Sequence, residues 1–80
     1  MMVWIKSTNG DLTSVTSVFK PVEAEPNEWV IEAHPAFARG TNFAVGVYDS
    51  REEAVAAFDH FEQWLARALA GEVEEGIFEF

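Results

Sequence analysis

The side chains best suited to acid–base or metal chemistry in this 80-residue chain are two histidines, His34 and His60. Asp59 precedes His60, but neighbours in a helix point about 100° apart, so the two do not form a catalytic pair. We expect His60 to lie on the polar side of a helix and His34 to hydrogen-bond in a loop before Pro35. A metal site would need three or four converging ligands, and no HxH or HExxH spacing provides them.

Nucleophilic and phosphate chemistry have equally little support. No serine has a GxSxG context, cysteine is absent, and no glycine-rich phosphate loop occurs. One group of glutamates flanks prolines in residues 20–28 and another follows residue 71, which is typical of solvated connectors rather than of an acid/base pair in a dry pocket. We therefore predict no catalytic residue, no metal ligand and no cofactor.

The composition narrows the partners of the chain. Fourteen acidic against five basic residues give a net charge of −9, which argues against direct binding to nucleic acid or to an anionic membrane surface. No apolar run approaches the ~20 residues of a membrane span. No basic region precedes an apolar stretch at the N-terminus, so we expect no signal peptide and a cytoplasmic protein.

The apolar content is high for so short a chain. Hydrophobic residues make up 49% of it and include seven Phe, three Trp and one Tyr. This is enough for a core and predicts aromatic surface left over, which favours oligomerisation or a protein partner.

One helix is clearly predicted between residues 50 and 71. Ser50 is a suitable N-cap, Glu53 completes a capping box, and Gly71 provides the stop. The helical spacing places one set of apolar side chains on a single face: Ala54, Phe58, Phe61, Leu65, Ala68 and Leu69.

Four strands are predicted before this helix, in residues 2–7, 12–19, 29–33 and 42–48. Asn9-Gly10 predicts a two-residue hairpin turn with positive φ at both positions. The second strand alternates imperfectly, which indicates either a bulge or a twisted edge strand. The segment 20–28, with two prolines, is predicted to be a connection. The predicted fold class is α+β, an antiparallel sheet of four strands with one C-terminal helix packed across one face.

The last nine residues form an acidic-aromatic tail. We predict a single α+β domain in residues 1–71 and a tail in 72–80 that would add a fifth strand, since Phe78 and Phe80 alternate with Glu79. The tail either completes the core or edge of its own domain, or docks into another protein by strand addition or by inserting Phe80 into a basic pocket. In composition it resembles the acidic, phenylalanine-ended tails of single-stranded DNA-binding proteins, which recruit partners.

Two short segments carry a wider resemblance. Trp4-Ile5-Lys6-Ser7 opens the chain, and Tyr48-Asp49-Ser50 with Glu53-Ala54 opens the helix. The chain thereby resembles a group of short uncharacterised bacterial proteins that begin with a Trp-Ile-basic-Ser strand and enter a helix in the same way. The resemblance implies a small accessory protein of bacterial or phage origin and carries no assigned activity.

These features favour a non-catalytic domain that works by protein–protein contact as a homodimer. The contact candidates are Trp29, Trp64, Phe78 and Phe80. One sheet and one helix leave the second face of the sheet uncovered, where tryptophans could lie and dimerisation would cover them. One alternative is an acidic inhibitor or nucleic-acid mimic that binds a basic protein, and a second is a small enzyme with a pocket around His34 or His60.

Overall fold

The computed structural model describes residues 3–36, 41–73 and 76–80. Residue 2 of the first predicted strand, residues 37–40 of the predicted loop and residues 74 and 75 of the predicted tail lie outside this part. The predicted α+β class is confirmed, with six strands and one helix in the described residues. In chain order these are β1 (Val3–Lys6), β2 (Leu12–Val18), β3 (Val22–Glu25), β4 (Glu28–Pro35), β5 (Phe43–Tyr48), α1 (Arg51–Leu69) and β6 (Ile77–Glu79).

Strand β4 is the centre of the sheet. Antiparallel β5 pairs along one of its sides, while β2 and β3 pair with two successive parts of the other side. Strand β1 pairs with β2 on the side away from β4, and β6 pairs with β1 in parallel. The sheet is therefore mostly antiparallel with one parallel pair, which the prediction of an antiparallel sheet did not include.

Two strands go beyond the four predicted. The tail forms β6, as the five-strand prediction allowed, and β3 lies in the segment predicted to be a connection. Its prolines do not interrupt it: Pro21 precedes the strand, and Pro26 with Asn27 forms the turn into β4. Asn27 has φ 65°, which matches the third position of a type II turn that has proline at the second. The prediction failed because these prolines bracket the strand rather than occupy it.

The Asn9-Gly10 hairpin is confirmed, but its turn is longer than predicted. Gly10 has φ 94°, whereas Asn9 is not among the described residues with positive φ. Gly10 N donates to Ser7 O at 2.9 Å, and Ser7 N donates to Asp11 O at 2.9 Å. This is a three-residue loop that ends in a left-handed glycine. Thr8 N also donates to Val45 O at 2.9 Å and so ties the loop to β5.

Three irregularities change the register inside the sheet, and one of them lies between Glu23 and Glu25, where β3 pairs with β4. The pairing of β2 with β4 shifts between Val15 and Ser17, which selects the bulge and excludes the edge strand, because β2 lies between β1 and β4. The pairing of β4 with β5 shifts between Ile31 and Glu32, where Val45 is an extra residue of β5 with no partner on β4. This extra residue turns its side chain into the core, where it is fully buried.

The helix has the predicted ends. Ser50 Oγ accepts a hydrogen bond from Glu53 N at 3.2 Å, and Gly71 has φ 76°. Gly71 N donates to Ala68 O at 3.1 Å and Glu72 N donates to Arg67 O at 2.9 Å, the two bonds of a Schellman motif. The helix packs on β4 and β5 and closes one face of the sheet over a core of Ile5, Val15, Ile31, Ala33, Val45 and Phe61.

Candidate interaction surface

The register of the strands assigns each side chain to one of two faces. Ile5, Val15 and Ile31 are fully buried on the face that the helix covers. Their neighbours along each strand point to the opposite face, because successive side chains of a strand alternate. We call this opposite face of the sheet the open face.

The exposed large apolar side chains of the described residues concentrate on the open face. There are seven such side chains, each 42–63% exposed, and the one that lies elsewhere is Leu69 near the end of the helix. The pairing register and the alternation from buried neighbours place the other six on the open face: Trp4, Leu12, Phe19, Val22, Val47 and Ile77. Contiguous apolar patches on the surface of a monomer often mark interaction sites, so the grouping of these six side chains on the open face is what matters.

Three of the six form what we call the tryptophan patch: Trp4, Leu12 and Ile77, on β1, β2 and β6. Trp4 pairs in register with Ile77, and Leu12 pairs with Lys6, which is two residues from Trp4 on the same face. Lys6 pairs in turn with Glu79, so opposite charges lie side by side at this end of the sheet. The tryptophan patch is therefore apolar with nearly balanced charge around it.

A second apolar group crosses three strands at the other end of the sheet. Val22, Val30 and Val47 are direct neighbours on β3, β4 and β5, and we call them the valine row. Val30 in the middle is only 9% exposed, whereas Val22 and Val47 are both 47% exposed. The row presents a continuous aliphatic strip with a shielded centre.

Carboxylates flank the valine row on both sides. Glu28 and Glu32 are two residues before and after Val30 on β4, so they share its face. Glu25 lies directly opposite Glu28, and β3, β4 and β5 contain no Lys or Arg. Phe19 N donates to Glu32 O at 2.8 Å, which places the exposed Phe19 ring next to Glu32. The surroundings of the valine row are thus acidic.

The four contact candidates predicted from the sequence lie on the helix-covered side. Phe61, 4% exposed, is surrounded by Trp64, Phe78 and Phe80 at ring-centroid distances of 6.1, 5.3 and 5.5 Å. The tail therefore packs into its own domain, with Phe78 and Phe80 half-buried. Trp29 is also half-buried and lines a groove of about 270 Å³ with Lys20, Pro21, Arg51, Val55, Phe58, Asp59 and Glu62.

The two histidines lie on different elements, His34 on β4 and His60 on α1. His34 Nδ1 lies 3.1 Å from Asn42 Oδ1, the loop hydrogen bond that its position predicted. His60 is exposed on the helix. In the described ranges no three His, Cys, Asp or Glu side chains come close enough together to hold a metal ion.

Tyr48 carries the most unusual polar group. Its hydroxyl is buried and has no hydrogen-bond partner among the described residues, and burial raises the pKa of this phenol. Its ring lies over Gly46, where an added Cβ would approach Tyr48 Cε2 to 2.6 Å. Tyr48 packs against the core and is a structural feature of the helix-covered side.

A second groove, of about 380 Å³, lies beside the helix. Its lining is mainly apolar and includes no titratable side chain: Val3, Thr16, Ser17, Val18, Phe61, Leu65 and Leu69. The one helix in the described residues is not apolar enough along its length to cross a membrane.

Comparison with models of known protein families, with curated proteins and with solved structures gave no match. Trp4, which anchors the tryptophan patch, is not among the four contact candidates predicted from the sequence. The signal that could have found it is parity: once Ile5 is known to be buried, Trp4 and Lys6 must face the other way.

Proposed function

We propose that this protein is a non-catalytic domain that acts by contact with other proteins, and that it self-associates through the open face. The observation that carries the proposal is the placement of six of seven exposed large apolar side chains on that face. The helix-covered side, in contrast, uses its aromatic side chains for its own core.

The exposed area is suitable for an interface. Each of the six side chains is about half exposed. Full burial of an aromatic side chain removes about 150–250 Å², so Trp4 and Phe19 each leave on the order of 100 Å² and the smaller aliphatic side chains leave somewhat less. Together with the polar side chains between them, the six approach the ~800 Å² that one partner contributes to an ordinary interface, and the tryptophan patch provides about half of this apolar area. The whole chain exposes 5332 Å², whereas a compact monomer of this mass exposes about 4,800 Å².

Self-association is centred on the tryptophan patch. Each copy carries a net charge of −9, so two copies repel unless their contact avoids carboxylates. Lys6 and Glu79 offset each other beside Trp4, whereas three glutamates surround the valine row. Tryptophan is also one of the three side chains, with tyrosine and arginine, that are enriched among residues that dominate binding energy.

The test is solution mass by light scattering over a wide concentration range, with Trp4→Ser and Leu69→Ser compared with the unchanged chain. Leu69 is the matched control, because it is 63% exposed but lies on the helix. We expect a dimer for the unchanged chain and for Leu69→Ser, and a monomer for Trp4→Ser. Unfolding midpoints of the three proteins establish that each is folded.

Salt provides the second arm of this test. An apolar contact between two acidic chains keeps or gains strength as salt rises, because screening lowers their repulsion. A dimer that dissociates at high salt, or one that survives Trp4→Ser unchanged, would contradict self-association through the tryptophan patch.

A further inference from the structure

We propose that the valine row and its flanking glutamates bind a basic amphipathic segment of another protein. Apolar side chains of the segment would lie on Val22, Val30 and Val47, with Lys or Arg side chains against the carboxylates on either side. The inference rests on the proposed use of the open face for protein contact, but it does not require self-association.

The geometry of the row sets the dimensions of the partner. Three neighbouring strands place the outer valines about 10 Å apart across the sheet, at ~4.8 Å per strand. Glu28 and Glu32 are four residues apart on β4, so their Cα atoms are separated by about 13 Å along the strand. In a helical partner, cations seven or eight residues apart on one face span about 10–12 Å, and long Lys or Arg side chains cover the rest. Apolar residues three and four positions after the first cation lie between the two cations on the same helix face, so they would contact the valine row.

The charges favour a basic partner over a second copy. Glu25 and Glu28 are direct cross-strand neighbours, an arrangement in which like charges destabilise the sheet. No Lys or Arg lies on β3, β4 or β5 to relieve it. A second copy of the same surface would add more carboxylates, whereas a cation from a partner would stabilise both glutamates. The valine row is therefore complementary to an apolar strip with basic flanks.

The probe for the experiment is a synthetic Lys/Leu amphipathic helical peptide, with a Glu/Leu peptide of the same pattern as the negative probe. Binding to the full chain is measured by titration calorimetry, and the contact is located from amide chemical shifts. We expect only the Lys/Leu peptide to bind, with shifts on β3, β4 and β5. The triple variant Glu25→Gln, Glu28→Gln, Glu32→Gln should weaken binding about tenfold, which corresponds to about 1.4 kcal/mol, or about 0.5 kcal/mol for each of three surface charge pairs.

A control of equal charge separates this surface from the general acidity of the chain. Glu52, Asp59 and Glu62 are exposed on the helix, and neutralising all three changes the net charge by the same amount. We expect this helix variant to weaken binding by less than about threefold. Equal losses in the two triple variants would overturn the proposal, because binding would then depend on net charge alone.

An apolar pair of variants tests the row itself. Val47→Ser removes one exposed end of the valine row, and Leu69→Ser removes an exposed apolar side chain from the helix. We expect weaker peptide binding for Val47→Ser only, and an unchanged affinity for Val47→Ser would overturn the proposal. Failure here leaves the self-association result standing, since that is measured on Trp4→Ser without any peptide. If the peptide binds and Trp4→Ser is still a dimer, self-association through the tryptophan patch is contradicted, whereas the peptide site on the valine row is not.

Discussion

Gly46 is the position where a single added methyl group should disturb the fold most clearly. An alanine Cβ at this position would lie 2.6 Å from Tyr48 Cε2, 2.8 Å from Tyr48 Oη and 3.0 Å from Tyr48 Cζ. Carbon atoms in contact are normally about 3.5–4.0 Å apart, so the nearest approach is about 1 Å too short. The glycine φ is not in the left-handed region, and the effect of Gly46→Ala is therefore steric.

The magnitude follows from two opposing terms. Overpacking of this kind costs about 1–3 kcal/mol, while alanine stabilises by about 0.4–1 kcal/mol through the less flexible unfolded chain. The Tyr48 ring can move outward without losing a hydrogen bond, because its hydroxyl has none to lose among the described residues. We therefore expect Gly46→Ala to lower the free energy of unfolding by about 1–2 kcal/mol. For a domain of this size each kcal/mol corresponds to about 4–8 °C in Tm.

The assay is urea unfolding followed by tryptophan fluorescence, with a double-mutant cycle that includes Tyr48→Leu. Tyr48→Leu is destabilising on its own, because it removes ring contacts with the core. In that background Gly46→Ala meets no ring, and we expect it to be neutral or slightly stabilising. If Gly46→Ala costs as much in the Tyr48→Leu background as in the unchanged chain, the contact between residues 46 and 48 is not the cause and the reasoning fails.

Three further predictions concern single side chains. Tyr48→Phe should raise the free energy of unfolding by about 1 kcal/mol by removing a buried unpaired hydroxyl. Because burial raises the pKa of Tyr48 above its ordinary 10.0, the stabilising effect of its protonation is complete below that pH and is lost as pH rises above it. Unfolding of the unchanged chain should thus become easier above pH 10.0, and Tyr48→Phe should lack this component. Tyrosinate absorbance measures the pKa of this single tyrosine, and a titration midpoint at the ordinary value would contradict the predicted pH dependence. Phe78→Ala should lower the free energy of unfolding by about 2 kcal/mol, less than for a fully buried ring, whereas the exposed Glu79→Ala should change it by less than about 0.5 kcal/mol. Equal effects of these two variants would show that the tail does not pack on the domain. Gly71→Ala should lower the free energy of unfolding by about 1 kcal/mol, because a φ of 76° is unfavourable for alanine. No atom lies within 4 Å of the added Cβ, so the expected effect is not steric. Gly76→Ala, also without a contact within 4 Å, is the control in the same urea assay, and a loss as large as that of Gly71→Ala would contradict a backbone cause.

The helix was predictable from sequence because its signals are local. The Ser50 cap, the Glu53 amide that it accepts from and the Gly71 stop all lie within a few residues of the helix ends they define. The first hairpin was equally local, although the loop took in Thr8 as well as Asn9 and Gly10. Asn-Gly is compatible with more than one loop length, and in the longer loop observed here Thr8 N donates to distant Val45 O.

The strands that were missed or misplaced depend on distant partners. Strand β3 is mostly exposed and contains two glutamates, so little in its own composition indicates a strand. It forms because β2 pairs with only residues 33–35 on that side of β4, which leaves residues 28–30 to pair with β3. The parallel pairing of β6 with β1 joins the two ends of the described chain, and no local pattern specifies it.

The two faces of the sheet explain why the sequence did not indicate Trp4 as a contact candidate. Alternation shows which residues share a face, but it does not show which face the helix will cover. The sequence therefore favoured the aromatic residues Trp64, Phe78 and Phe80, which the fold gathers around Phe61. The valine row is harder to find still, because its three members come from three separate strands.

The measurement that tests the use of the open face most directly is the concentration dependence of amide and indole chemical shifts in the isotope-labelled chain. As the protein is diluted, we expect shifts for the Trp4 indole and for the amides around Leu12 and Ile77, with none around Leu69 on the helix. Shifts confined to the helix, or a spectrum that does not change over the range in which light scattering shows association, would contradict self-association through this face.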